Sequence, residues 1–255
     1  MSLSCYKSHC SSFKSLIMKK LFLLFSVAFL SVSFLSAQTV DEILAKYFKA
    51  SGTEILAKKK TIVMKGNMSQ MDIKLPMVIK VKHPNKFRIE MEMQGQKMVT
   101  AFDGEHGWMI APWISQDPQD LAGKQLEQTK EQADMEGELY RYKEKGHKAT
   151  YMGKEEMEGI EVYKIKLDKK NGNVQYYYID TDVNLPVKVS TVSKQGGNEV
   201  KVNSYMSNYK TIDGVTIPMS IENKVEGTGQ TQQVEIESIL FDQNLPDSIF
   251  LKPVK

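Results

Sequence analysis

Three histidines follow residue 37: His83, His106 and His147. None belongs to an H-x-x-x-H or H-E-x-x-H pattern, which would set two imidazoles on one helix face around a metal. Each stands beside a turn glycine or proline, where a histidine is ordinarily solvated. Glu155, Glu156 and Glu158 lie between Gly153 and Gly159 and read as a charged hairpin turn rather than a general acid–base pair. No G-x-S-x-G elbow, Walker loop or dinucleotide fingerprint occurs. Both cysteines, Cys5 and Cys10, fall near the N-terminus, so no thiol is left after residue 37 for a disulfide, a Cys-based zinc site or a nucleophile. The expectation is a protein that binds rather than catalyses, with no catalytic residue, metal or cofactor.

Methionine usage points to what it binds. Thirteen of the 15 methionines follow residue 37, and Met64, Met68, Met77, Met91, Met93 and Met98 fall on apolar faces of alternating segments. Methionine is flexible and polarizable, and it suits surfaces that accept varied apolar shapes. A methionine-rich core is the plain alternative.

The elements that would position these residues are mostly strands. Lys86 to Met93 alternates without a fault, with Phe87, Ile89, Met91 and Met93 on one face and charges on the other. Leu75, Met77, Ile79 and Val81 alternate too, as do Ile62, Met64, Gly66 and Met68. Tyr163, Ile165 and Leu167, and Val174, Tyr176 and Tyr178, follow suit. A period of two marks antiparallel strands with one wet face, and Asn171-Gly172, Asp213-Gly214 and similar pairs punctuate them. The pattern predicts about eleven or twelve strands. Val40 to Ala50 has helical spacing, with Gly52 after its end, and Thr53–Lys58 reads as a short helix or turn. Asp117 to Tyr142 reads as a polar helical insert whose thin apolar face suits a surface cover or a movable lid. The predicted class is mainly β (α+β), a single domain over residues 38–255. An open sheet of this size needs closure or cover, and the helix and the insert are the candidates to cover its concave face.

The N-terminus reads as a secretory signal. Met18-Lys19-Lys20 precedes the apolar run Leu21–Leu35 and then Ser36-Ala37-Gln38, a pattern of basic, apolar and small residues that predicts a cleaved peptide over 18–37. Residues 1–17 read as an upstream extension. Removing residues 1–37 takes four lysines from the 34 basic residues and nothing from the 31 acidic ones, so the net charge falls from +3 to about −1. That balance gives no reason to expect a nucleic-acid partner.

Val81-Lys82-His83-Pro84-Asn85-Lys86-Phe87-Arg88 resembles the basic–Arg-Pro-Asn-x-Phe hairpin of the LolA family, the periplasmic carriers of outer-membrane lipoproteins. Asp103-Gly104-Glu105-His106-Gly107-Trp108, with Pro112 and Trp113 beyond, resembles the family's Asp-Gly-x-x-x-Trp-x-x-x-Pro segment. Leu245-Pro246-Asp247-Ser248-Ile249-Phe250 looks like its closing segment. The resemblance implies an incomplete antiparallel barrel whose concave face is covered by helices. It also implies binding of lipoprotein acyl chains or other lipid, received from an inner-membrane transporter and passed to an outer-membrane acceptor. On that reading Met64, Met77, Ile79, Phe87, Ile89, Met91, Met93, Trp108 and Trp113 are the ligand-cavity residues. His83 stands where the family places a lid-binding arginine. Arg88 is expected to be solvated. The alternative on the same fold is an envelope sensing or assembly module that docks a protein partner.

Overall fold

The computed structural model describes residues 38–71, 73–195 and 198–254. The expected extension (1–17) and signal peptide (18–37) lie outside the described residues. Among the described residues no helix is long and apolar enough to cross a membrane.

Thirteen strands form one antiparallel sheet among the described residues. The first six are β1 (Thr61–Gln70), β2 (Ile73–Lys82), β3 (Lys86–Met93), β4 (Gln96–Phe102), β5 (Gly107–Ala111) and β6 (Ser115–Asp120). The second seven are β7 (Lys148–Met157), β8 (Ile160–Asp168), β9 (Val174–Asp180), β10 (Pro186–Gln195), β11 (Asn198–Ile212), β12 (Val215–Val225) and β13 (Thr231–Phe241). Each group is a meander, and the pairing of β1 with β13 joins the two. The outer strands β6 and β7 do not pair, so the barrel stays open. The residues between β6 and β7 must therefore lead from one edge of the sheet to the other. The predicted insert, 117–142, makes up most of this linking segment.

The count exceeds the expected eleven or twelve because β6 carries no readable period. Its residues, Ser-Gln-Asp-Pro-Gln-Asp, are polar throughout, and the insert was expected to begin inside it, at Asp117. An edge strand lies mostly in water and tolerates proline because one side needs no ladder donor. The helical part of the insert is shorter than expected. Helix α3 covers Gly123–Gln132, and turns occupy most of the stretch from there to β7.

Helix α1 spans Val40–Ser51 and starts from a capping box: Glu42 N–H donates to Thr39 Oγ1 at 3.2 Å, and Thr39 N–H donates to Glu42 Oε2 at 2.9 Å. It ends at Gly52, whose φ of 69° is left-handed and whose absent Cβ would lie 2.0 Å from the Gly214 carbonyl oxygen. A second short helix, α2 (Thr53–Leu56), follows directly.

Two apolar clusters divide the concave face. On one half, Ile43 and Leu44 of α1 pack with Leu139 and Tyr142 of the insert on Tyr163, Ile165, Leu167 and Ile179. On the other, Ala133, Leu126 and Met135 of the insert pack over Ile62, Val81, Phe87, Phe102, Met219, Ile239 and Phe241. Each cover buries one half of a sheet face that would otherwise be an exposed apolar surface.

Candidate functional site

Cross-strand register decides which residues share the concave face. Ile62 pairs with Val81, Val81 with Phe87 and Phe87 with Phe102, forming one row. Met64, Ile79, Ile89 and Thr100 form the next, and Gly66, Met77, Met91 and Met98 the one after. Met68 and Leu75 pair beyond them. Between the two covers lies a cavity of about 440 Å³, lined by Ile62, Met64 and Val81 of the sheet, Val215, Ile217 and Ile221 of β12, Tyr47 and Leu56 of the helices, and Met135 and Glu136 of the insert. That volume lies in the range of small-molecule sites, roughly 300–1,000 Å³.

Of the sequence-predicted cavity residues, Met64 lines this space directly. Phe87, Ile79 and Ile89 pack in the cluster beside it, under the insert. Met77 and Met91 lie one row farther along the sheet, and Met93 stands at the end of β3. Trp108 requires a correction. Phe102 pairs with Gly107, so Gly107 takes the concave position and Trp108 falls on the reverse face, opposite Ala101. Trp113 sits in the β5–β6 turn, 55% exposed and away from the cavity. The β12 residues were missed, although Val215, Ile217, Met219 and Ile221 alternate without a break and carry the same signal as β3.

The insert is attached at two places of different strength. At one, Lys169 of the β8–β9 turn is 2% exposed and forms charge pairs with Glu131 Oε1 at 2.5 Å and Glu138 Oε1 at 3.1 Å. Asn171 Nδ2 donates to Glu131 Oε1 at 2.9 Å. Lys170 N–H donates to His147 Nδ1 at 3.1 Å, which leaves the proton on Nε2 to be donated to Glu138 Oε2, 2.6 Å away. Lys145 pairs with Asp134 and donates to the Gly137 carbonyl. At the other place, a single contact holds: His83 Nε2 stands 3.5 Å from Glu136 Oε1, and this nitrogen, like Lys169 Nζ, is buried without a well-aligned hydrogen bond. A contact this long is weak. The first attachment is a cluster of short contacts, the second a single long one.

The reverse face is held by the C-terminal segment. Trp108 Nε1–H donates to the Phe250 carbonyl at 2.8 Å, Arg88 Nη1 donates to the Ile249 carbonyl at 2.8 Å, and the guanidinium lies over the Trp108 ring. Arg88 is therefore a half-buried clamp rather than the solvated side chain expected. Glu90 accepts from Arg88 at 2.7 Å, Lys80 at 3.0 Å and Lys97 at 3.1 Å. Burial raises its pKa, but these three cationic donors prevail and hold the carboxyl down at about 2. A carboxylate whose folded-state pKa is depressed stabilises the fold above its unfolded pKa, and this contribution is lost as pH falls through the folded value. Solvent screens part of this effect, so the expected contribution is about 1–2 kcal/mol, lost between about pH 4.5 and pH 2. Urea unfolding across that range checks it: the wild type loses stability on acidification, and Glu90→Gln loses correspondingly less. Parallel acid profiles for the two proteins would refute the assignment.

A family model described as an uncharacterized protein matches residues 87–253. Comparison with curated proteins finds no match. Among solved structures, the chain is similar to a DUF1329 family protein from Desulfovibrio piger, with 14% identity, 82% of this chain and 97% of that one covered, and a TM-score of 0.60. It is similar also to a LolA superfamily protein from Nitrosomonas europaea, with 16% identity, coverage of 85% and 99%, and a TM-score of 0.59. A third is a domain described as an outer membrane lipoprotein-sorting protein from Vibrio parahaemolyticus, with 12% identity, coverage of 82% and 97%, and a TM-score of 0.57. At these identities the likeness is one of fold, and the fold is the LolA-like open barrel that the hairpin motifs implied.

Proposed function

We propose, for a chain that belongs to the uncharacterized family matched over residues 87–253 and has the LolA-like fold, that its concave cavity binds acyl chains and that it serves as a lipid or lipoprotein carrier. The observation that carries this reading is the apolar space beside a cover attached at two places, lined by Met64, Ile62, Ile217, Leu56 and Met135. Each methylene kept out of water is worth about 0.8 kcal/mol, so a chain of about a dozen carbons gains roughly 10 kcal/mol from such a site. A carrier must also let its cargo go. The weak His83–Glu136 latch gives the cover a low-cost way to open while the Lys169 hinge keeps it attached.

In this reading residues 18–37 direct export and are removed, and residues 38–255 work in a Gram-negative periplasm. They receive cargo from an inner-membrane transporter and deliver it to an outer-membrane acceptor. The site acts by binding and release, without covalent chemistry.

The test is native mass spectrometry with lipid extraction on the Gln38–Lys255 protein, purified from a periplasm without detergent. The expected result is a bound acyl species released by organic solvent, and an emptied protein that takes up an apolar dye. A clean apo mass, with no uptake of dye or of added lipopeptide, would overturn the carrier reading. A protein-docking module on the same fold would then replace it.

A further inference from the structure

The hairpins β1–β2, β3–β4 and β5–β6 all turn at the same end of the sheet, because each closes the next outgoing pair of one antiparallel meander. With neighbouring strands roughly 4.8 Å apart and a rise of roughly 3.3 Å per residue, the first and third tips stand roughly 20 Å from each other across the strands, and the register staggers them by roughly 13 Å along the strands. The two outer tips carry large apolar side chains in water: Met71 is 75% exposed and Ile73 54% at β1–β2, and Trp113 is 55% and Ile114 71% at β5–β6. The middle tip is Gln94-Gly95, with Met93 just before it. Within these tips one charged residue occurs in the sequence, Asp72, which lies outside the described residues. The row Met77, Met91 and Met98 lies between this end and the cavity row of Met64.

Four exposed apolar groups at one end of the sheet mark an interaction surface. They sit on separate tips rather than on one continuous face, so they offer little to a docking helix or strand. A lipid bilayer needs no matching relief. The second and third tips carry no charge in the sequence and can enter its interfacial layer without stripping water from one, and tryptophan favours that layer. Lys74, adjoining the first tip and making no ion pair among the described residues, can lay its apolar stem along the same surface with its head in water.

We propose that this hairpin end is a membrane-insertion rim, which seats the mouth of the methionine-lined face directly on a bilayer. Its role in cargo exchange rests on the carrier reading; the insertion itself does not.

The experiment is flotation of the Gln38–Lys255 protein with vesicles of phosphatidylethanolamine and phosphatidylglycerol. Trp113 is an internal probe, since the only other tryptophan, Trp108, is buried. The expected result is flotation that survives about 0.5 M salt, where the Debye length is only a few ångströms, with Trp113 emission quenched by brominated acyl chains. A variant with Met71, Ile73, Trp113 and Ile114 all changed to Ser should bind at least tenfold more weakly, yet take up apolar dye normally in vesicle-free solution. No vesicle binding by the wild type, equal binding by the variant, or binding that vanishes in salt would each overturn the proposal. In the first case a protein would be the partner of this end. Loss of dye uptake in the wild type with vesicle binding intact would remove the carrier reading and support the rim.

Discussion

Replacing Lys169 with methionine is expected to destabilise the protein by about 3–5 kcal/mol, the usual cost of breaking a buried ion pair by removing one partner. The lysine is the cation shared by Glu131 and Glu138, and it is almost wholly removed from water. Methionine fills much of the same space but leaves Glu138, itself mostly buried, with only the His147 N–H facing it. The loss should concentrate in the cover. Amide exchange over residues 131–147 should rise well before that of the sheet, because these residues are tied to the β8–β9 turn through this cluster. Adding Glu131→Gln and Glu138→Gln to the same chain should recover part of the loss, since the orphaned charges are then gone. His83→Ala makes the contrast. It cuts a long contact at the far end and should cost less than about 1 kcal/mol, while raising exchange near Glu136. Urea unfolding and hydrogen exchange read both variants. A change of under 1 kcal/mol for Lys169→Met would mean that the cover does not hang from this cluster.

The second large effect is expected at Ile89. Its side chain lies on the concave face in the row of Met64 and Ile79, packed against the cluster beneath the insert. Aspartate there would place a carboxylate on an apolar face with no cation on that row to meet it, and burying an unpaired charge is costly. Uptake of an apolar dye should be abolished in a protein that still folds. Circular dichroism and urea unfolding therefore accompany the dye titration, and Ile89→Val provides the neutral control. The valine variant should lose only about 0.5–1.5 kcal/mol of stability and keep its uptake. An Ile89→Asp protein that folds and binds dye like the wild type would remove the concave face from the proposed site.

Much of the architecture is legible from residue types because local physics produces it. The faultless alternation of Lys86–Met93 can only serve a strand with one apolar face, and the register of β2, β3 and β4 sets Phe87 and Ile89 on that face. Thr39 and Glu42 announce the start of α1, and Gly52 its end, through the hydrogen bonds and the left-handed backbone that a helix terminus requires. The open barrel was implied by the resemblance of three segments, a hairpin at Val81–Arg88, the stretch Asp103–Trp113 and the closing Leu245–Phe250, to the LolA family.

What residue types could not supply is whatever depends on distant partners. Trp108-Met109-Ile110 has no polar residue between its apolar ones, so no face can be read from it. The outer side of β5 is apolar because Phe250, far along the chain, comes back to cover it. The polar β6 offers no period because an edge strand has little to bury. Lys169 sits in a run of Asp, Lys and Asn that reads as a solvated turn, and only the arrival of Glu131 and Glu138 from the insert takes it out of water. The pairing of β1 with β13 decides all of these at once. By joining the two meanders there, it leaves β6 and β7 as the free edges, and the segment linking those edges then has to pass over the concave face.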